Sequence, residues 1–221
     1  MHKNTLTLII FICALFTNCA SHKLQYKNEA NAILIGDAGK SPINDLSIGL
    51  KIFQKHISKK STKEDYALFL GDNIYPSGLP DKDEKGRDYA ENHLDAQIKS
   101  VGDFKGKTIF LPGNHDWYAD GLKGVKRQEK YIEDALGKNT FKPENGCPLE
   151  SIDVSDKVQL IIIDTQWYIE NWNKNPTIND DCEIKTRERF LEELEGELKK
   201  AQDKKVIFAM HHPMYTNGLH G

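Results

Sequence analysis

Short apolar runs recur along the chain, and the segments between them carry apolar residues at helical spacing. Runs of four to six residues rich in Ile, Leu, Val and Phe, without polar alternation, are typical of strands that are buried on both faces of a sheet. The chain contains such runs, which predict strands at residues 32–35, 67–70, 108–111, 158–163 and 206–210.

The intervening segments predict amphipathic helices. The first stripe consists of Leu46, Leu50, Phe53 and Ile57. The stripe before the third strand consists of Leu94, Ile98 and Val101, and the stripe before the last consists of Phe190, Leu191, Leu194, Leu198 and Ala201. Strands that alternate with helices form βαβ units. We therefore predict an α/β domain with a largely parallel sheet.

The composition fits one globular domain. The 221 residues are 38% hydrophobic and 29% charged, which excludes a disordered chain. The 30 basic and 33 acidic residues leave a formal charge of −3, so no global positive field indicates nucleic acid as the main partner. Function must therefore be carried by local sites.

The N-terminus has the features of a secretory signal. Lys3 precedes an apolar run over residues 6–16, which is too short to cross a hydrocarbon layer of about 30 Å but has the length of a signal h-region. We therefore expect residues 1–18 to be a signal peptide, residues 19–30 to be a tether, and residues 31–221 to be the functional domain.

The end of the apolar run predicts a lipid anchor. Its sequence LFTNCAS resembles a bacterial lipobox, although Phe16 and Asn18 replace the usual residues. Cys19 is then the lipidated residue, and the domain lies on the periplasmic or cell-surface face of a bacterial membrane. Signal removal without lipidation and an uncleaved anchor are the alternatives, and both place the domain outside the cytoplasm.

Two further cysteines, Cys147 and Cys182, lie in turn-like contexts far downstream. In an oxidising compartment a disulfide is the usual state of such a pair. We therefore predict one surface disulfide between them. The alternative is two independent buried thiols.

Polar clusters follow four of the predicted strands. They are Gly36-Asp37-Ala38-Gly39, Gly71-Asp72-Asn73-Ile74-Tyr75, Gly113-Asn114-His115-Asp116 and His211-His212-Pro213. In open α/β sheets, ligands bind outside the carboxyl ends of the strands, so we expect these clusters to meet in one crevice. One such cluster alone would indicate no more than a turn, but four in succession indicate a site.

The side chains in these clusters indicate a metal site. Asp, Tyr, Asn and His without thiolates suit iron, manganese or zinc, and they argue against a structural zinc site made of cysteines. A carboxylate can bridge two cations, and a metal pair about 3.5–4 Å apart can activate water and clamp the oxygens of a phosphoryl group. The reaction that this predicts is phosphoester hydrolysis.

The ordered motifs GDAG, GDNIY, GNHD and HHPMYTNGLHG resemble the calcineurin-like metallophosphoesterase superfamily and, within it, the purple acid phosphatases of the small tartrate-resistant type. The resemblance covers residues 32–221 and implies a metallophosphoesterase-type layered α/β sandwich with mainly parallel central strands. It implies that Asp37 and Tyr75 bind a first metal, that Asp72 bridges two metals, and that Asn114 and His211 bind the second. Fe(III) is the implied first ion, with Fe, Zn or Mn as the second.

Two positions favour the purple acid phosphatases within this superfamily. Gly39 stands where the wider superfamily commonly has the histidine of an Asp-x-His motif. Tyr75 follows Asp72 by three residues, where purple acid phosphatases have the tyrosinate that binds ferric iron. A phenolate is a hard anionic donor and favours a trivalent ion. The alternative is that Tyr75 is a packing residue.

The resemblance also implies a proton donor. His115 would bind phosphate and protonate the leaving alkoxide, and Asp116 would either orient its imidazole as a dyad partner or cap a helix N-terminus. His220 follows His211 by nine residues, the spacing of a second histidine that faces the substrate. His212 is expected to point elsewhere.

Aromatic residues follow the fourth predicted strand. Trp167, Tyr168 and Trp172 would either line the cleft and receive an aromatic leaving group or cover the core.

One feature of the family pattern is missing. A Gly-His-x-His motif, whose two histidines complete the metal coordination, is expected after the His-x-Pro segment. His2, His22, His56 and His93 lie in no such motif. We therefore expect the domain to be C-terminally incomplete, a part of a longer enzyme, with weak metal binding and low turnover by itself.

The leading hypothesis is an exported phosphatase that hydrolyses small phosphate monoesters. A phosphodiesterase or nucleotidase of the same superfamily is the first alternative. A non-catalytic surface lipoprotein that serves as a binding module is the second.

Overall fold

The computed structural model describes residues 30–59, 61–171 and 181–217. The predicted signal peptide, Cys19, Trp172 and His220 lie outside these residues. Within the described ranges, no helix combines the length and the apolar character that a membrane crossing requires.

Two three-stranded sheets form the centre of the domain. The first has the order β1-β2-β3 and is parallel throughout, with β1 at Ala32–Ile35, β2 at Tyr66–Leu70 and β3 at Lys107–Leu111. The second has the order β4-β5-β6, with β4 at Leu149–Ser155, β5 at Val158–Ile163 and β6 at Lys205–Met210. Strands β5 and β6 are parallel, and β4 is antiparallel to β5. The predicted layered sandwich with mainly parallel strands is confirmed.

The first difference from the predicted fold concerns the edge strands. Strand β4 was not predicted because polar residues interrupt its sequence LESIDVS, as expected of an antiparallel strand with one solvated side. Burial on both faces is wrong for β1 and β6, where Leu34 is 56% and Ile207 is 43% exposed. Both strands lie at an edge of their sheet.

Helices cover the outer faces of the two sheets. They are α1 (Ile48–Ile57), α2 (Arg87–Ser100), α3 (Asn114–Trp117), α4 (Gly121–Leu136), α5 (Thr165–Ile169) and α6 (Arg187–Lys200), with a short 3-10 helix at Glu144–Gly146. Leu50, Phe53 and Ile57 of α1 are buried as predicted, whereas Leu191 and Leu198 of α6 are exposed. A separate core fills the space between the sheets, where Leu68 and Leu111 of one sheet pack against Leu160 and Ile162 of the other.

The longest of these helices, α4, was not predicted. Its buried positions have helical spacing, but three of them are polar: Gln128, Glu129 and Glu133 alternate with the apolar Val125 and Ile132. A search for apolar stripes therefore passes over this helix.

A disulfide joins Cys147 to Cys182, with the sulfur atoms 2.11 Å and the Cα atoms 5.4 Å apart. It ties the segment before β4 to the segment before α6. The predicted pairing is confirmed, but its surface location is wrong. Cys182 is only 6% exposed and belongs to the larger hydrophobic core.

Candidate metal centre

The carboxyl ends of β1, β2, β3 and β6 meet at one edge of the sandwich. Strands β1 and β2 both continue into Gly-Asp, and both aspartates, Asp37 and Asp72, have a φ of 54°. This left-handed conformation is tolerated by aspartate better than by most residues, and it turns the chain sharply after the strand. The amide of Asp37 donates to the Gly71 carbonyl at 3.1 Å, which holds the two turns together.

Two glycines allow these turns to approach each other. A Cβ atom at Gly113 would lie 2.4 Å from both the amide nitrogen and Oδ1 of Asp72. A Cβ atom at Gly39 would lie 2.5 Å from the backbone of residues 72–74. No side chain fits at residue 39 without displacing the Asp72 turn. Residue 39 therefore offers no side-chain ligand to this site.

The Tyr75 hydroxyl lies between the two aspartates. Its oxygen is 2.7 Å from Asp37 Oδ1 and 2.6 Å from Asp72 Oδ2. Burial, together with the hydrogen bonds and charges of these carboxylates, raises the pKa of Tyr75. The phenol has one proton and can donate it to only one of the two carboxylates. The phenol oxygen and the two carboxylate oxygens therefore lie close together with a single proton among them. A cation at this point would favour the phenolate instead.

A second group of acceptors lies on the other side of Asp72. His211 Nδ1 is 2.9 Å from the Leu70 carbonyl, which accepts the ring N–H and leaves the Nε2 lone pair facing the site. That Nε2 is 3.1 Å from Asn114 Oδ1 and 3.4 Å from Asp72 Oδ1. These three atoms are all acceptors, so a proton or a metal cation must stand between them.

The donor set fits a pair of metal ions. Ligand atoms of Asp37, Asp72 and His211 all lie within 4.8 Å of one another. Tyr75 adds an oxygen beside Asp37, and Asn114 adds one beside His211, with Asp72 common to both groups. The five residues that the sequence predicts as ligands are therefore brought together. Oxygen and imidazole donors without thiolates suit hard or borderline ions.

The imidazole of His115 lies next to these ligands. Its Nδ1 is 2.5 Å from the Pro76 carbonyl, and its Nε2 is 4.0 Å from Asp72 Oδ2. The ring contacts the rings of Tyr75 and Tyr118, with centroids 4.4 and 4.8 Å away. His115 also donates its backbone N–H to Asp72 Oδ1 at 3.0 Å. Its ring orientation therefore comes from Pro76 and the two tyrosines.

Asp116 has a different role from the predicted one. Its carboxylate is fully buried and accepts the backbone N–H groups of Asn73, Ile74 and Gly113 at 2.8 to 3.2 Å. The predicted dyad with His115 is wrong, because consecutive helical residues point in different directions. The capping alternative is nearer the structure, since Asp116 bonds the N–H of Gly113 at the start of α3.

Burial raises the pKa of Asp116 to about 7, even though the N–H groups that it accepts act to lower it. This carboxylate holds the turn after Asp72 against the turn before Asn114. It fixes the backbone that carries the candidate ligands and is not itself a candidate ligand.

The remaining predicted residues divide between core and site. Trp167 is completely buried and packs near Phe190, so the core interpretation is correct for this residue. Tyr168 also packs on Phe190. His212 points away from the ligands as predicted, with Nδ1 2.7 Å from the Thr165 hydroxyl.

Sequence reasoning missed one residue of the site, Tyr118. Its hydroxyl accepts the amide N–H of Asn114 at 2.6 Å, and its ring packs beside His115. The available signal was spacing, because residues four apart on a helix are neighbours.

The family comparison agrees with the geometry. The model for calcineurin-like phosphoesterase matches residues 32–221, which include every candidate ligand. A search among curated proteins finds no match to the chain. The matched region extends from the first strand through the His211 segment and so covers most of the 221 residues. The chain belongs to the calcineurin-like phosphoesterase family, a family of phosphoester hydrolases.

Proposed function

We propose that this domain is an exported, dinuclear-metal-dependent phosphatase of the purple acid type, which hydrolyses small phosphate monoesters. The observation that carries this proposal is the Tyr75 hydroxyl between Asp37 and Asp72, at 2.7 and 2.6 Å. A phenol oxygen shared with two carboxylates offers a trivalent ion three hard donors.

The candidate ligands form two groups, one for each metal ion. Asp37, Tyr75 and Asp72 would hold an Fe(III) ion, and Asp72, Asn114 and His211 would hold Fe, Zn or Mn. When bound, these ions supply Lewis acidity, which activates water and offsets charge on the phosphoryl oxygens. The hydrogen bond from His211 Nδ1 to Leu70 keeps Nε2 free for this purpose.

His115 provides the proton for the leaving group. In its imidazolium form, Nδ1–H donates to the Pro76 carbonyl, and Nε2–H is left facing the site. A phosphate ester bound beside Asp72 would receive this proton on its departing oxygen. The donor in this step must therefore be the protonated imidazole.

The reaction is tested with aryl phosphate monoesters and diesters on the metal-loaded full chain. We expect monoester turnover to exceed diester turnover, and His115→Asn to lower kcat by about 10²- to 10⁴-fold. His56→Asn, an exposed histidine on α1, is the matched control and should leave kcat unchanged. A diester preference would instead support the phosphodiesterase or nucleotidase alternative. Absence of hydrolysis by the metal-loaded chain would support the binding module.

The identity of the first metal is tested by colour. Iron bound to a tyrosinate gives a visible charge-transfer band, which should disappear in Tyr75→Phe. Tyr131→Phe is the control, because its hydroxyl bonds Asp95 outside the site. An active protein without the band would contradict Fe(III) at Tyr75.

Export and lipidation are tested in a bacterial host. We expect the chain to fractionate with membranes and to incorporate labelled fatty acid, and Cys19→Ala to abolish the label. Cys13→Ala, within the same apolar run, should retain it. Label retained in Cys19→Ala would contradict the lipid anchor.

A further inference from the structure

We infer that Tyr118 positions two neighbours in the candidate metal centre: its hydroxyl orients the Asn114 amide, and its ring holds the His115 imidazole. The inference rests on the proposed function, in which Asn114 binds a metal and His115 donates a proton. It concerns a residue that none of the sequence motifs above assigns to the site.

Tyr118 directly follows the short helix α3, four residues after Asn114. Its hydroxyl accepts the Asn114 Nδ2–H at 2.6 Å. The other end of the same amide, Oδ1, then lies 3.1 Å from His211 Nε2. The hydroxyl oxygen therefore holds the nitrogen end of the amide, which leaves Oδ1 facing the site.

The opposite orientation would close the site to a cation. It would aim the Asn114 N–H at the lone pair of His211 Nε2, which is already fixed by the bond from Nδ1 to Leu70. A hydrogen bond would then occupy the place of the second metal. Partners of metal ligands commonly change metal affinity by about 10- to 100-fold when they are removed.

The ring of Tyr118 acts on the second neighbour. The imidazole of His115 contacts the rings of both Tyr75 and Tyr118, and the centroid of the Tyr118 ring is 4.8 Å from that of the imidazole. The His115 side chain is itself 29% exposed, and Tyr118 is 55% exposed, so this contact lies at the surface of the site. Without this ring, His115 would have room to turn about its bond to Pro76.

The exposure of Tyr118 makes it suitable for substitution, because little core packing is lost. Tyr118→Phe removes the hydroxyl and keeps the ring. Tyr118→Leu removes both. The two variants therefore separate the effect on Asn114 from the effect on His115.

The effect on Asn114 is measured by calorimetric titration of the full chain with Mn²⁺. We expect Tyr118→Phe to weaken binding about tenfold. In an Asn114→Ala background the same change should have no further effect beyond about twofold, because the two residues act as one unit. Tyr131→Phe is the control, since it also loses an exposed hydroxyl hydrogen bond.

The effect on His115 is measured by comparing an alkyl phosphate with 4-nitrophenyl phosphate. Protonation matters most for a poor leaving group, so Tyr118→Leu should lose more kcat on the alkyl ester than on the aryl ester. Tyr118→Phe should lose equally on both. A merely structural role for Tyr118 would not produce this difference.

The outcomes separate this inference from the proposed function. If the unsubstituted chain hydrolyses no monoester but Tyr118→Phe weakens Mn²⁺ binding through Asn114, the proposed function fails and the positioning of Asn114 stands. The inference is overturned if Tyr118→Phe binds Mn²⁺ as tightly as the unsubstituted chain, or if that chain binds none. Equal losses on both esters in Tyr118→Leu overturn the role toward His115.

Discussion

Trp117 donates its indole N–H to the Asp164 carboxylate, with Nε1 3.0 Å from Oδ2, in a fully buried contact. Trp117 follows the site histidine His115 in the first half of the domain, whereas Asp164 follows β5 in the second sheet. The contact therefore connects the segment that carries His115 to the other sheet. Asp164 also accepts the Trp167 amide at the start of α5.

Trp117→Phe should destabilise the fold. It leaves one oxygen of a buried carboxylate without its donor and removes part of a buried ring. The loss of the hydrogen bond alone is expected to cost about 1–3 kcal/mol in the free energy of unfolding. Urea unfolding followed by circular dichroism measures this. An unchanged urea midpoint would contradict an energetic role for the contact.

The stability should also depend on pH through Asp164. Burial raises the pKa of Asp164 to about 7, from an ordinary value of 3.8, against the opposing bonds from Trp167 and Trp117. The folded protein holds this proton more tightly than the unfolded chain. Its contribution to the free energy of unfolding is therefore full below pH 3.8 and is lost as the pH rises to about 7.

Asp164→Asn removes this titration while keeping the shape of the side chain. Between about pH 4 and 7, the unsubstituted chain should lose stability relative to Asp164→Asn by up to about 1.4 kcal/mol per pH unit, the value for one proton. Urea unfolding at several pH values gives both slopes. Parallel pH profiles would mean that the pKa of Asp164 is the same in the folded and unfolded states.

Gly113→Ala should damage the candidate site. The added methyl would lie 2.4 Å from Asp72 N and Oδ1, so the Asp72 turn must move. We expect a loss of about 1–3 kcal/mol in stability, the usual cost of overpacking, together with weaker Mn²⁺ binding.

Gly196→Ala is the matched control for this substitution. Gly196 lies in α6, and a Cβ atom there meets nothing within 4 Å. Alanine should raise the stability by about 0.5–1 kcal/mol, because glycine is a poor helix former. Similar effects of the two substitutions would show that the contact with the Asp72 turn does not exclude a side chain at residue 113.

Loss of the disulfide should also destabilise the domain. Cys147 and Cys182 are 35 residues apart, and the chain-entropy relation gives about 3–4 kcal/mol for a loop of this length. The double variant Cys147→Ser/Cys182→Ser should unfold at correspondingly lower urea, and reductant should bring the unsubstituted chain to the same midpoint. A thiol titration that finds Cys147 and Cys182 free in the denatured, unreduced chain would contradict the bond.

The candidate ligands could be predicted because chemistry and topology coincide in this fold. Asp37, Asp72, Asn114 and His211 each follow a strand whose apolar sequence is plain, and the carboxyl ends of those strands share one edge. The hydrogen-bond partners of Asp116 could not be predicted in the same way. Its bonds go to the backbone of residues 73, 74 and 113, and backbone groups leave no trace in side-chain patterns.

The elements that were missed have polar buried faces. Helix α4 buries Gln128, Glu129 and Glu133, and each of these side chains forms a hydrogen bond with a backbone group outside the helix. Such burial depends on tertiary partners, which the local sequence does not contain. Strand β4 was missed for a related reason, since one of its sides is solvated.

The candidate centre draws its ligands from both sheets. Asp37, Asp72, Tyr75 and Asn114 follow strands of the first sheet, and His211 follows β6 of the second. A cation held jointly by Asp72 and His211 would link the two sheets. Its binding free energy would stabilise the arrangement of one sheet relative to the other. Metal binding would then slow amide hydrogen exchange along β6, including residues that do not contact the metal.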